Sequence, residues 1–234
     1  MEITVSAARY RRWLTILVLA LTAVSFAGSL AMLFLHLRPR GLLRIVNMDL
    51  EASIPTWYSS VNLAVSAALL AAIAATVRAR KGTHDLFAWS TLAFIFTCLS
   101  LDEISGIHES VGSLIRTIVP TSGYFRFAWV IPALAALPFL GATFFGFLTR
   151  LTARRRAQFL VGGFLFVVGA VGMEMIGAKF YAEAGDQPTL PFIVCFHIEE
   201  FLEMISIVLF NAALIEHLTE LQGPPGLRLR FAHE

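Results

Sequence analysis

Six long apolar stretches restrict what this chain can fold into more than any other feature of its sequence. They lie at about residues 14–35, 57–77, 86–109, 127–149, 157–180 and 191–215. About 20 helical residues cross the roughly 30 Å hydrocarbon core of a bilayer, since each residue advances the helix by about 1.5 Å. The mean hydropathy of +0.74 also lies well above that of a soluble domain. We therefore expect an all-α fold, a polytopic bundle of six transmembrane helices that forms one domain over residues 1–234.

Basic residues are distributed unevenly among the segments that connect the six stretches. Alternating the stretches across the membrane assigns twelve of the eighteen Lys and Arg residues to the side that holds both termini. Short cytoplasmic segments of membrane proteins carry the excess of Lys and Arg. We therefore expect a multi-pass protein of the plasma membrane, which is the inner membrane of a bacterial cell, with both termini in the cytoplasm.

Net charge and cysteine placement exclude several other classes of protein. A formal net charge of +2 provides no basic surface for nucleic acid. Cys98 and Cys195 lie inside apolar stretches and lack the spacing of a zinc ribbon or a haem attachment site. The sequence also lacks the last-helix lysine of microbial rhodopsins and the histidine patterns of membrane desaturases and ceramidase-like hydrolases. Membrane lipids are the expected partners, and a homo-oligomer or a partner membrane subunit stays open.

Acidic residues are concentrated in three short strings that the predicted topology brings together. The strings are residues 101–109, with Asp102, Glu103, His108 and Glu109; residues 172–175, with Glu174; and residues 195–203, with His197, Glu199, Glu200 and Glu203. The third and fifth predicted helices run outward and the sixth runs inward. All three strings are therefore expected at the extracytoplasmic end of the bundle.

These acidic residues are expected to lie at membrane depth. The apolar part of the third stretch before Asp102 covers only about 24 Å, and that of the fifth before Glu174 only about 26 Å, so the acids must complete both spans. A charged group there costs about 3 kcal/mol or more and persists only when it faces the bundle interior with a partner. The nearest basic residue in sequence is Lys179, one and a half turns beyond Glu174. Protons or metal cations are therefore needed to neutralise the carboxylates.

Helical spacing indicates which of these side chains can converge. At about 100° per residue, the acids of the sixth helix and His197 share one continuous face. On the third helix His108 points away from Glu103 unless Gly106 interrupts the helix. Carboxylates combined with imidazole suit iron, manganese or zinc, and their number is sufficient for two ions. We predict a divalent metal site with the ligands Glu103, Glu174, His197, Glu199, Glu200 and Glu203, and with Asp102, His108 and Glu109 as catalytic acid/base groups or outer ligands.

Simpler interpretations exist for several of these residues. Glu199 and Glu200 near a helix start would favour the helix dipole by only about 0.3–1 kcal/mol. Glu109 fits the wet face of an amphipathic extension equally well. Asp49 and Glu51 in the first extracytoplasmic connection either cover the site or are simply solvated. The glycines of the fifth stretch are best explained by close packing against another helix.

Three functions agree with this sequence. The first is a membrane-embedded metalloenzyme that acts on a lipid-like or small amphiphilic substrate. The second is a proton-coupled or cation transporter that uses the same carboxylates. The cytoplasmic halves of the stretches contain few polar residues besides Thr76, Thr91 and Asn211, which favours a site over a transport path. The third function is that of an accessory membrane subunit whose acids dock a partner's basic residues.

Overall fold

Helices make up nearly all of the computed structural model, which describes residues 2–38, 40–80, 85–223 and 227–230. In chain order its elements are β1 (Glu2–Val5), α1 (Ala7–Phe34), α2 (Leu42–Ile45), α3 (Ile54–Ala79), α4 (Leu86–Ser105), α5 (Ile107–Ile118), a 3-10 turn (Gly123–Phe125), α6 (Val130–Arg150), α7 (Ala153–Val167), a π-helical segment (Val168–Met173), α8 (Glu174–Glu183), α9 (Leu190–Gln222) and β2 (Leu227–Arg230).

Five of the helical segments are long and apolar enough to cross a membrane. They are α1, α3, α4, α6 and the continuous segment Ala153–Glu183, which joins α7, the π-helical segment and α8. These segments correspond to the first five predicted stretches and confirm a multi-pass helical bundle. The sixth stretch lies within α9, a helix of 33 residues that packs against α1, α3, α7 and α8 in the middle of the bundle.

A buried polar network fixes α9 against α1 and α3. The side-chain oxygen of Asn211 accepts a hydrogen bond from Ser66 Oγ at 2.7 Å. Its amide nitrogen donates to Tyr10 Oη at 3.0 Å and to the carbonyl oxygen of Asn62 at 3.1 Å. Tyr10 Oη in turn donates to the side-chain oxygen of Asn62. Because each buried polar group has a partner, the network stabilises one register of the three helices.

Glycines make the contact between the α7–α8 segment and α9 close. A Cβ atom on Gly162 would lie 3.6 Å from Phe210 Cβ, and one on Gly169 would lie 3.0 Å from the carbonyl oxygen of Glu199. A Cβ on Gly177 would lie 3.3 Å from Cys195 Cβ. The predicted packing role is therefore confirmed for these glycines. Gly163 differs, because nothing lies within 4 Å of its Cβ position.

The ends of the chain pair with each other. β1 and β2 form an antiparallel pair in which Glu2 lies opposite Arg230 and Val5 opposite Leu227. β1 and β2 therefore lie at the same end of the bundle.

The same end of the bundle contains ion pairs between helices. Arg155 is buried and donates to Glu216 at 2.6 Å and to Glu220 at 2.5 Å, which joins α7 to α9. Arg150 forms a pair with Asp85 at 2.8 Å, which joins α6 to the start of α4. The acidic strings lie at the opposite end of these helices.

Candidate functional site

Gly106 interrupts the helix that carries the first acidic string. Its backbone is left-handed, with φ of 56°, so that α4 ends at Ser105 and α5 begins at Ile107. A Cβ atom at this position would overlap the carboxylate of Glu51. Glycine is required on both counts, because a side chain here would be strained and would displace Glu51.

The interruption turns His108 back onto Asp102. The backbone nitrogen of His108 donates to Asp102 Oδ1 at 2.7 Å, and its Nδ1 lies 2.9 Å from Asp102 Oδ2. The imidazole also packs edge-on against Trp129, with ring centroids 4.9 Å apart. Within the described residues Nε2 has no hydrogen-bond partner, so the pair leaves one ring nitrogen available.

The carboxylates around His108 change its proton affinity. Burial alone would lower the pKa of His108, but the hydrogen bond and charge of Asp102 raise it above its usual value. The charges of Glu109 and Glu174 act in the same direction. The protonated imidazole is therefore stabilised at the centre of the acidic residues.

Glu174 and Glu199 lie side by side where the π-helical segment meets α9. Trp129 Nε1 donates to Glu174 Oε1 at 2.8 Å. The close approach at Gly169, whose Cβ position lies 3.0 Å from the carbonyl oxygen of Glu199, brings this segment and α9 together near the two glutamates. π-helical turns inside α-helices are frequent at functional sites, and this one ends at Glu174.

A polar cavity of about 510 Å³ lies against these groups. Its acidic lining comes from every predicted string and from the connection before α3: Asp49, Glu51, Glu103, Glu109, Glu174, Glu199 and Glu200. Contrary to the expectation from the sequence that no basic residue lies near the acids, Arg116 and Arg126 also line this cavity. Arg126 is held by Asp186 through bonds of 2.8 and 2.6 Å, and Arg116 donates to Ser113 Oγ at 3.5 Å. Lys179 lies apart, beside Tyr124 and 3.7 Å from Glu183. Among the described residues, no carboxylate that lines this cavity forms a salt bridge. The nearby salt bridge joins His108 to Asp102, which lies outside the lining.

A second, apolar cavity of about 480 Å³ extends from the same acids into the bundle. It lies between α4, α6, α7 and α9, and most of its wall consists of Leu, Ile, Val, Ala and Phe side chains. The two cavities have five lining residues in common: Glu103, His108, Trp129, Glu199 and Glu200. Glu203 lines only the apolar cavity, one turn below Glu199. The acidic residues therefore occupy the junction between a polar and an apolar space.

The connection between α2 and α3 covers the polar cavity with Asp49 and Glu51. Desolvation by the protein groups around the Asp49 carboxyl raises its pKa to about 7, with smaller contributions from the charges of Glu174 and Glu109, although the residue itself is open to the cavity. Burial and the charge of Glu109 also raise the pKa of Glu51, one of whose oxygens has no hydrogen-bond partner within the described part of the chain. The sequence left open whether these residues cover the site, and their positions support that role.

His197, a predicted ligand, is not brought into the acidic cluster. Its Nδ1 donates to the carbonyl oxygen of Ile193 at 2.8 Å, and its Nε2 lies 3.0 Å from Ser25 Oγ. Ser25 Oγ also accepts a hydrogen bond from the backbone nitrogen of Met48 at 3.0 Å. The ring therefore faces α1 and holds the connection that carries Asp49. No local sequence signal indicates this, because Ser25 lies within an apolar stretch.

Glu109 fits both interpretations that the sequence left open. α5 is amphipathic, with Ile107, Leu114 and Ile118 exposed, and its opposite side lines the polar cavity through His108 and Glu109. In residues 2–38, 40–80, 85–223 and 227–230, no three His, Cys, Asp or Glu side chains already form a metal-ligand set. The carboxylates face a common space without converging on one point.

Comparison with known proteins places the whole bundle in one family. The family model "Domain of unknown function (DUF8692)" matches residues 11–218, a range that contains every acidic string. The chain belongs to the DUF8692 family. No curated protein and no solved structure shows significant similarity to this DUF8692 chain.

Proposed function

We propose that this protein is a membrane-embedded metalloenzyme that acts on a lipid-like or small amphiphilic substrate at the junction of the two cavities. The junction itself carries the proposal. An amphiphile has a polar and an apolar part, and the polar and apolar cavities of about 510 and 480 Å³ meet at Glu199 and Glu200. Each volume lies within the range of about 300–1,000 Å³ typical of ligand sites.

The charge of the junction supports a bound cation. Four carboxylates are available there as oxygen ligands: Glu103, Glu174, Glu199 and Glu200. An oxygen-only set of this kind suits manganese, and iron or zinc when His108 adds an imidazole as an outer ligand; such an ion would supply Lewis-acid activation of water or substrate. Because the carboxylates do not yet converge, we propose that side-chain rotation brings them together around the ion. His197 is left out of this ligand set, since both its ring nitrogens are occupied.

The Asp102–His108 pair supports acid/base chemistry at the same place. Asp102 accepts from Nδ1, which leaves Nε2 as the nitrogen that takes or gives a proton. His108 lines both cavities, so Nε2 serves a reacting group at their junction. Glu109, one residue further along, raises the proton affinity of the ring through its charge.

The wall of the apolar cavity favours an enzyme over a transporter. Below Glu203 the polar side chain that this wall contributes is Ser206, and the other lining residues are apolar or glycine. Its inner end lies against aromatic rings, among them Phe147 and Phe159. An ion or proton leaving the carboxylates has no polar route through this space, whereas a hydrocarbon chain is well accommodated.

Metal analysis of matched variants tests the proposal. We expect purified wild-type protein to bind iron, manganese or zinc at one or two ions per chain by mass spectrometry. Glu174→Gln is expected to lose most of the metal. Glu183→Gln is the control, because Glu183 lies on the same helix but pairs with Lys179 outside the cavity. Folded wild-type protein that neither contains nor takes up metal would overturn the proposal. Ion flux into liposomes that Glu203→Gln abolishes would favour transport.

A further inference from the structure

We propose that the apolar cavity is a binding site for a single hydrocarbon chain whose length it limits. The substrate class is then an amphiphile that inserts one linear chain between α4, α6, α7 and α9. The inference rests on the proposed function for the position of the polar headgroup at the carboxylates. The chain site itself follows from the shape and lining of the cavity.

The cavity is elongated along the helices. Its lining on α6 begins at Ala133, below Trp129, and continues through Leu137 and Leu140 to Phe147. At a rise of about 1.5 Å per residue this distance is roughly 21 Å, more than half of a hydrocarbon core. A space of about 480 Å³ drawn out over this length is elongated along the helices, which suits an extended chain.

α6 makes the cavity by standing away from its neighbours. Near its outer end it approaches the π-helical segment, and near its inner end Phe147 packs edge-on against Trp89 of α4 at 4.8 Å. Between these contacts Ala136 lines the cavity and is also exposed, so the cavity is open beside α6. A chain from the surrounding lipid can enter there without crossing the carboxylates.

A rigid aromatic wall closes the inner end. Phe147 and Phe159 line the cavity, and Trp89 contacts both rings edge-on, at 4.8 and 5.9 Å. Phe210 packs against Phe159 at 4.9 Å and completes the wall. Trp89 itself is only 2% exposed, so these rings are held from behind. A chain that reaches this wall cannot extend further.

Gly163 provides a direct way to fill the cavity. Nothing lies within 4 Å of its Cβ position, and it lines the apolar cavity, whereas the neighbouring Gly162 packs against α9. A large side chain at residue 163 therefore occupies the chain site without displacing a neighbour. Gly141 on α6 is the matched control, because its Cβ position is equally open but lies outside the cavity lining.

Tryptophan fluorescence in lipid nanodiscs measures chain binding without turnover or metal. Trp13 and Trp57 are 63% and 61% exposed on the outside of the bundle, so the background variant carries Trp13→Phe and Trp57→Phe and retains Trp89 and Trp129. The probes are alkyl phosphocholines of increasing chain length, each brominated at its last two carbons. Bromine quenches only a nearby indole, and the buried Trp89 reports on the inner end of the cavity.

We expect quenching to be greatest at one chain length and to fall for shorter and longer chains. Gly163→Phe is expected to abolish this maximum, and Gly141→Phe to leave it unchanged. Phe147→Ala is expected to shift the maximum to a longer chain. Quenching that rises steadily with chain length, or that Gly163→Phe leaves intact, would overturn the inference. Since Glu174→Gln is expected to retain chain binding, a failure of the metal site and a failure of the chain site are distinguished.

Discussion

The imidazole of His197 and the hydroxyl of Ser25 lie 3.0 Å apart and tie α9 to α1 beneath the connection that carries Asp49. Nδ1 of His197 donates to the carbonyl of Ile193, so Nε2 is the acceptor and Ser25 is the donor. Ser25 Oγ then accepts from the backbone of Met48. His197, which the sequence suggests as a metal ligand, thus helps to hold the connection that carries Asp49 and Glu51, through Ser25 and Met48.

Ser25→Ala is expected to destabilise the protein by about 1–3 kcal/mol, because it leaves the buried nitrogen of Met48 and one ring nitrogen of His197 without partners. Thermal unfolding in detergent measures the change. Ser29→Ala is the control on the same helix, since Ser29 Oγ is buried without a hydrogen-bond partner in the described structure. Equal losses in both variants would show that the hydrogen bonds of Ser25 contribute little.

Gly106→Ala is expected to cost more than the roughly 1–2 kcal/mol of a left-handed backbone alone, because the new Cβ also displaces the carboxylate of Glu51. Gly123→Ala isolates the backbone cost, since Gly123 has φ of 59° and nothing within 4 Å of its Cβ position. Denaturant titration gives the free energy of unfolding of each variant. If Glu51→Ala does not reduce the difference between them, the contact with Glu51 is not its cause.

Asp49→Asn is expected to flatten the pH dependence of stability. The pKa of Asp49 is raised to about 7 in the folded protein from 3.8, so the folded state binds this proton more tightly than the unfolded state does. The contribution of Asp49 to the free energy of unfolding is therefore fully present below about pH 4 and is lost as the pH rises towards 7. Wild-type melting temperatures should therefore fall over this window more than those of Asp49→Asn. Identical slopes would contradict the raised pKa.

Asp102→Asn is expected to lower the pKa of His108, because the carboxylate supplies the hydrogen bond and charge that raise it. Histidine NMR titration of protein with labelled imidazole rings, assigned with His108→Gln, measures the shift. Under the proposed function, Asp102→Asn and His108→Gln are each also expected to lower turnover, by about 10²- to 10⁴-fold. His217→Gln serves as a control, since His217 stacks on Trp89 at the other end of the bundle. An unchanged pKa of His108 in Asp102→Asn would show that Asp102 does not control the proton affinity of the imidazole.

Labelling of single cysteines is expected to place the acidic cavity outside the cell. Ser113 lines the polar cavity, and Ala153 is exposed at the opposite end of the bundle. In a background with Cys98→Ser and Cys195→Ser, Ser113→Cys should react with an impermeant maleimide in intact cells, and Ala153→Cys only after lysis. The reverse pattern would invert the orientation inferred from the basic residues.

The sequence predicts the bundle well because long apolar runs have few alternatives to a membrane helix. It also predicts that Glu103, Glu174, Glu199 and Glu200 approach each other, since alternating topology brings helix ends together. The position of His108 depends on Gly106, because its left-handed backbone ends α4. Helical periodicity does not show whether a glycine adopts this conformation. His197 shares a helical face with Glu200, but a serine on a distant helix determines where its ring points.

The apolar cavity has no counterpart in the sequence analysis. It lies between α4, α6, α7 and α9, where the backbone of α6 stands apart from the other three helices. The side chains that line it, such as Leu137 and Leu140, are indistinguishable in sequence from lipid-facing residues. A space between helices depends on packing distances, and hydropathy contains no information about these.

The pairing of β1 with β2 makes this chain nearly a closed loop. Glu2 and Arg230 lie opposite each other, so a short peptide between these two residues would join β1 to β2 without separating α1 from α9. New ends opened at the turn between α6 and α7 would then yield a circular permutant with the same helix neighbours. Fluorescent proteins fused before Glu2 and after Arg230 would, for the same reason, be held within energy-transfer distance.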